Sequence, residues 1–262
     1  LDLAEASRRN IERFLSHDNF SSVFVDIGAS GACEKILRLL SAFQIDFIFH
    51  LAGLADIVPS INDPLKYFET NVFGTLIVLE AARKAGVKKL VYASSSSIYG
   101  IPDPEYIPTS EDAPIKPQYP YAETKYQGER WVSHYNQIYE LPTVSLRLFN
   151  VYGPRSRTTG AYGAVFGAFL AQKINGKPFT VVGDGRQSRD FVFVTDVCDA
   201  FIKAVQSDIS GEVFNVGSGK PQTILRLTEL LNGETTFLPK RPGEPNVTHA
   251  DISKIKRVFN WA

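Results

Sequence analysis

The chain has 262 residues, 44% hydrophobic and 21% charged, with 28 Lys and Arg against 28 Asp and Glu. That length buries a substantial core, and the balanced charge excludes a disordered chain, a nucleic-acid footprint and a polybasic membrane patch. The apolar runs are far too short to cross a bilayer, Cys33 and Cys198 make no disulfide framework, and no signal-peptide pattern opens the sequence, so a reduced, cytoplasmic setting is expected.

The first half alternates short β-branched runs with amphipathic stretches. Residues 22–27 read as a strand, 33–43 as a helix, 45–50 as a strand and 64–85 as a helix. A strand at 89–94, a helix carrying Tyr121 and Lys125, and a strand at 143–149 complete the series. Such alternation implies crossover units and an α/β fold with a parallel sheet covered on both faces. Ligands of such sheets gather at the carboxyl ends of the strands, where His50, Ser95, Phe149 and Asn150 fall. From about Tyr152 Gly and Pro become frequent. A helix is expected at 163–175, strands at 179–182, 191–194 and 212–216, a helix from Ile224, and a final helix from Ile252. The division predicted is a nucleotide-binding domain over 1–155 and a smaller, interleaved substrate-binding domain over 156–262, with about 190–220 partly returning to the first sheet.

Tyr121 and Lys125 stand four apart in Pro120-Tyr121-Ala122-Glu123-Thr124-Lys125, so on a helix they share a face. Free tyrosine titrates near about 10, and an adjacent ammonium lowers that value. A phenol activated in this way, with a hydroxyl-bearing strand end upstream, can take a proton from a substrate alcohol. That chemistry is alcohol-to-ketone oxidation with a nicotinamide cofactor. The histidines at 17, 50, 134 and 249 are too scattered to suggest a metal site.

Seven blocks carry a wider resemblance. They are His50-Leu51-Ala52-Gly53, Asn71-Val72-Phe73-Gly74-Thr75, Tyr92-Ala93-Ser94-Ser95-Ser96-Ser97-Ile98-Tyr99-Gly100 and Tyr121-Ala122-Glu123-Thr124-Lys125, followed by Arg147-Leu148-Phe149-Asn150-Val151-Tyr152-Gly153-Pro154, Gly183-Asp184-Gly185 through Ser188-Arg189-Asp190-Phe191, and Arg241-Pro242-Gly243-Glu244. Together they resemble the extended short-chain dehydrogenase/reductase family, nearest its nucleotide-sugar 4-epimerases. The resemblance implies a Rossmann-like doubly wound parallel sheet with a smaller interleaved α/β domain, NAD as cofactor, and a UDP-linked sugar as substrate. It also implies a homodimer through helices 71–85 and 121–139. The family's opening Gly-x-x-Gly-x-x-Gly turn is not in the sequence, and the chain opens at Leu1 without a methionine, so the N-terminal glycine-loop unit is expected to be missing.

The resemblance assigns roles residue by residue. Tyr121, Lys125 and Ser95 match the catalytic set. Asp2 matches an acid that binds the adenosine ribose and favours NAD. Asp26 and Ile27 match the adenine pair, while Leu51, Ala52, Gly53, Asn71 and Phe149 lie along the cofactor. Arg189 and Arg241 match arginines that clamp the substrate diphosphate with their planar forks. Ser96, Asn150, Val181, Glu244 and Thr248 complete the expected substrate contacts, with Val181 either lining the uracil pocket or plain core. Small Thr248 favours room for a 2-acetamido group or a uronic acid. Ser96 and Ser97 occupy positions where related dehydratases and decarboxylases carry a carboxylate, so elimination is disfavoured. The expected activity is NAD-dependent 4-epimerisation of UDP-glucose or UDP-N-acetylglucosamine. The alternatives are a dehydratase, reductase or decarboxylase of the same scaffold, and a non-catalytic nucleotide-binding protein.

Overall fold

The structure, a computed structural model, describes residues 10–156, 165–239 and 245–261. Helix α1 (Ala32–Ala42) starts after Gly31, whose φ of +76° strains any residue with a side chain. It leads to strand β1 (Phe47–His50). Two short helices, α2 (Ile57–Asn62) and α3 (Pro64–Tyr67), enter a π-helical turn at Phe68–Phe73 and then α4 (Gly74–Ala85). The span predicted as one helix over 64–85 is therefore helical throughout, with a wide turn in its middle. Strand β2 (Lys89–Ser95) is buried along its whole length, as a central parallel strand covered on both faces must be. Pro120 opens helix α5 (Pro120–Tyr139), where a missing N–H goes unmissed, and left-handed Glu140 ends it. Strand β3 (Thr143–Leu148) and the short β4 (Asn150–Tyr152) follow.

The second half adds helix α6 (Val165–Ile174) and strands β5 (Phe179–Val182), β6 (Ser188–Arg189) and β7 (Phe191–Phe193). Helix α7 (Val194–Gln206) begins where the predicted strand was to end. After it come β8 (Glu212–Val216), β9 (Gln222–Thr223), α8 (Ile224–Leu231), β10 (Thr235–Leu238) and α9 (Ser253–Phe259). Helix α7 was not anticipated, although its buried Val197, Ala200, Phe201, Ala204 and Val205 recur at helical spacing.

The central sheet has the order β1-β2-β3-β8, all parallel, with Ser95 beside Leu148 and Leu148 beside Val216. One face packs Leu146, Phe201, Phe214 and Phe259; the other packs Leu79, Leu90, Tyr92 and Tyr135. A smaller core of Phe169, Phe179, Val181, Phe191 and Ile224 lies around β5, which pairs with β10. Residues 22–27 do not form the predicted strand. Among the described residues nothing continues the ladder beyond β1, and without a neighbour's N–H and C=O groups an extended segment is not a strand. Val23 and Phe24 stay exposed there, with only Ile27 buried.

Candidate active site

The carboxyl ends of β1, β2 and β3 open into a cleft of about 800 Å³, faced by α6, β5, Pro245 and Thr248. Tyr121 enters it from the first turn of α5. Its phenol faces the hydroxyls of Ser95 and Ser97; burial pushes its pKa up and these two hydroxyls pull it back. Ser95 caps the turn Ser96–Tyr99, which folds Ser97 back until the two Oγ atoms stand 2.8 Å apart. The Ser97 N–H also donates to Ser95 Oγ, at 3.2 Å. Ser96 lines the cleft, but the hydroxyl next to the phenol is that of Ser97. Sequence reasoning gave Ser97 no positive role. The signal was its place two residues after Ser95 in a tight turn.

Lys125 lies one helical turn along, buried, its Nζ 4.3 Å from the centre of the Tyr92 ring. Burial pushes its ammonium down to about 7, with the charge of Glu129 acting in the opposite sense. Behind it Asn71 is fully engaged. Its Oδ1 accepts from Leu54 N at 2.7 Å, and its Nδ2 donates to Leu54 O at 2.9 Å and to Thr124 Oγ1 at 3.0 Å. The loop after β1 is thereby tied to the helix that carries Tyr121. Gly53 sits at this join, where a Cβ would lie 3.0 Å from Asn71 Oδ1 and 3.9 Å from Lys125 Nζ. Thr75 gives its hydrogen to Asn71 O at 2.6 Å, so its oxygen accepts from His50 Nε2 at 2.9 Å and fixes the Nε2–H tautomer. Burial, then the charge of Lys125, push His50 down to about 3. Neutral and enclosed, it is a packing residue.

The remaining sequence candidates divide. Leu51, Gly53 and Phe149 line the cleft, while Ala52 and Asn71 stand behind its wall. Ile27 packs in the core against Gly74, and Asp26 is exposed, accepting from Gly28 N at 3.0 Å. On the substrate side Asn150, Arg189 and Thr248 line the cleft together. Thr248 Oγ1 donates to Asn150 Oδ1 at 3.2 Å and accepts from Asp190 N at 3.1 Å, and Arg189 Nη1 donates to the carbonyl of Pro245 at 2.8 Å. Val181 belongs to the small core. Strand alternation gives the cleft wall to Thr180 and Val182 instead. Gln118, Tyr119 and Gln187 also line the cleft and were missed. Asp2, Arg241 and Glu244 lie outside the described residues.

Residues 4–217 match the model of the NAD dependent epimerase/dehydratase family. The chain belongs to that family. A UDP-glucose 4-epimerase from Mycolicibacterium smegmatis is 36% identical to it over 267 aligned positions, covering 99% of this chain and 83% of that protein. The UDP-N-acetylglucosamine 4-epimerase from Methanobrevibacter ruminantium, in complex with UDP-N-acetylmuramic acid, superimposes with a TM-score of 0.86 at 33% identity, over 93% of this chain and 77% of that one. The UDP-glucuronic acid 4-epimerase from Bacillus cereus, in complex with UDP-glucuronic acid and NAD, gives 0.88 at 31% identity, over 98% and 81%. The fold of this epimerase/dehydratase member is accordingly Rossmann-like, and the family's cofactor is NAD. The residues present fit the nicotinamide end of that cofactor. Leu51, Gly53 and Phe149 line the same cleft as Tyr121 and the buried cation Lys125, at the carboxyl ends of the parallel strands.

Proposed function

We propose that the chain is a 4-epimerase of a UDP-hexose or UDP-N-acetylhexosamine, working through a 4-keto sugar. The observation that carries this reading is the Tyr121 phenol in the cleft, facing the hydroxyls of Ser95 and Ser97 with Lys125 one turn away. Bound NAD supplies a reversible hydride acceptor at the sugar's C4. Leu51, Gly53 and Phe149 would hold its nicotinamide end, and Asp26 and Ile27 are assigned to its adenine.

Tyr121 accepts the proton of the 4-hydroxyl, and Lys125 stabilises the phenolate electrostatically. Ser95 and Ser97 donate to the phenolate and to the developing ketone oxygen, the place where negative charge appears. Asn150 and Arg189, with Arg241, are assigned to the diphosphate, about which the ketone turns to present its other face. Tyr121 then returns the proton. With serines at 96 and 97, neither position offers a carboxylate to assist loss of water. Thr248, small and held beside Asn150, supports acceptance of a 2-acetamido group. Phe73, Trp131, Ile138 and Tyr139 are exposed on the two helices assigned to a homodimer interface, an apolar surface that favours pairing.

The test is Tyr121→Phe assayed with UDP-glucose and UDP-N-acetylglucosamine. Turnover should fall by at least about a thousandfold, at the upper end of a lost acid–base group, with nucleotide binding retained. Full activity in that variant would sink the mechanism. A product lighter by water or carbon dioxide from the unaltered protein would replace epimerisation with another reaction of the family.

A further inference from the structure

The face of α5 that carries Tyr121 and Lys125 continues one turn on to Glu129. Its carboxylate is enclosed and fully used. Oε1 accepts from Arg147 Nη2 at 2.7 Å, and Oε2 accepts from Arg147 Nε at 3.1 Å and from the Ser94 hydroxyl at 2.6 Å. Only 7% of the Arg147 side chain and 5% of the Glu129 side chain reach solvent. Arg147 Nη1 donates onward to Tyr99 Oη at 2.7 Å and to the Glu111 carbonyl at 2.8 Å, and Tyr99 donates to Asn215 Oδ1 at 2.7 Å. Burial opposes the guanidinium charge, but the bonds to Glu129 outweigh it and raise its pKa above the ordinary arginine value.

A buried ion pair contributes little to stability once desolvation is counted. The place of this one is more informative. Ser94 adjoins Ser95, so Glu129 clamps the catalytic helix to the strand end that presents the catalytic hydroxyl. The surroundings of Lys125 offer little other charge. His50 at the end of β1 is neutral, and Tyr92 from β2 is a phenol raised by burial. Tyr99, in the turn after β2, is likewise raised, and Asp56, before α2, acts on Tyr121. Glu129 is the charge that acts on Lys125, and Arg147 from β3 faces it across the carboxylate.

We propose that Glu129 and Arg147 form a positioning pair for the Tyr121–Lys125 site, setting the helix against Ser94–Ser95 and tuning the charge state of the lysine. The inference rests on the role proposed above for Tyr121 and Lys125. It predicts opposite electrostatic effects from the two ends of the pair. Glu129→Gln removes a negative charge and leaves the arginine's positive one, so the ammonium of Lys125 is lost at lower pH. Arg147→Gln leaves an unneutralised carboxylate, so the ammonium persists to higher pH. Damage to packing would not produce opposite signs.

The experiment is NMR titration of carbon-labelled lysine in the protein without nucleotide, with the Lys125 signal identified by its loss in Lys125→Met. Glu129→Gln should move the titration down by roughly one pH unit, Arg147→Gln should move it up, and Glu129→Asp should restore it to near wild type. Ser94→Ala, a small change that keeps every charge, should leave the titration in place and lower kcat about tenfold by releasing the helix. An unmoved lysine in Glu129→Gln, shifts of one sign in both charge variants, or an unchanged kcat in Ser94→Ala would overturn the proposal. Should a charge variant not fold, the Ser94→Ala and Glu129→Asp results still decide it. A shifted Lys125 in a protein inert toward UDP-sugars would sink the epimerase reading and leave the charge pairing standing.

Discussion

Gly128 sits in the buried face of α5 where Tyr92 passes beneath it, and replacing it with alanine sets two effects of opposite sign against each other. In a free helix the change gains about 1 kcal/mol. Here the new Cβ would lie 2.4 Å from Tyr92 Oη, 3.1 Å from its Cζ and 3.3 Å from the Asn71 carbonyl oxygen. Opening the first contact to an ordinary separation needs a shift of about 1 Å. Tyr92 is fully buried, and its hydroxyl already faces the Lys125 carbonyl at 3.5 Å, so the ring has nowhere to go. Overpacking of this kind costs about 1–3 kcal/mol, and the confinement of Tyr92 puts it in the upper half of that range. The net expectation is a loss of about 1–2 kcal/mol, or roughly 2–4 °C in Tm for a chain of this size. Activity should fall with it, because the same ring carries Lys125 Nζ on its face. Urea denaturation and a thermal scan of Gly128→Ala provide the measurement. A variant as stable as the parent, or more so, would show that helix propensity wins and that the contact with Tyr92 is slack.

Two further perturbations test the surrounding framework. Asp190 is fully buried and accepts four hydrogen bonds, from Ser218 N and Oγ at 2.6 and 2.8 Å, Gly219 N at 3.0 Å and Ala250 N at 2.9 Å. Asp190→Asn turns one acceptor oxygen into a donor facing donors, and should cost about 3 kcal/mol or more in urea unfolding; a loss under about 1 kcal/mol would refute that account. His50 is lowered from 6.5 to about 3 in the fold, so the unfolded chain takes up its proton first. Its contribution to stability is complete above about pH 6.5 and is lost as pH falls toward 3, amounting to about 2 kcal/mol by pH 5. His50→Gln, which keeps a donor for Thr75, should lack that slope; parallel stability–pH curves for the two proteins would rule out His50 as the source.

What the sequence disclosed follows from how local each signal is. The alternation of strands and helices and the Tyr121–Lys125 spacing are short-range patterns, and both reappear as the parallel sheet and the cleft-facing turn of α5. Ser97 escaped because its contact with the phenol depends on a tight turn that folds position 97 back over 95, a geometry that a run of four serines does not announce. Residues 22–27 were misread because β-branched composition marks a segment fit to be a strand, while the ladder partner that makes it one is a non-local matter. The apolar spacing of α7 was present but hidden behind the strand-like Phe191-Val192-Phe193-Val194 before it. No local pattern could have joined Glu129 to Arg147, one on a helix and the other on the following strand.

The wide turn at Phe68–Phe73 has a consequence for which changes of length the chain can accept. It holds an extra residue relative to an α-helical turn, and each residue of a helix represents about 100° of rotation. Removing one residue there would take up that extra residue and leave a regular α-helix with α4 in its present phase. Inserting a second residue finds no such slack and would swing the whole of α4 by about that angle. Leu79, Ala81 and Ala82 would then turn out of the core, and Thr75 would leave His50. The turn is thus a one-residue reserve of length between the loop that holds Leu54 and the helix that supports the sheet. Between Asp63 and Gly74 the chain can accept a shortening where it could not accept a lengthening.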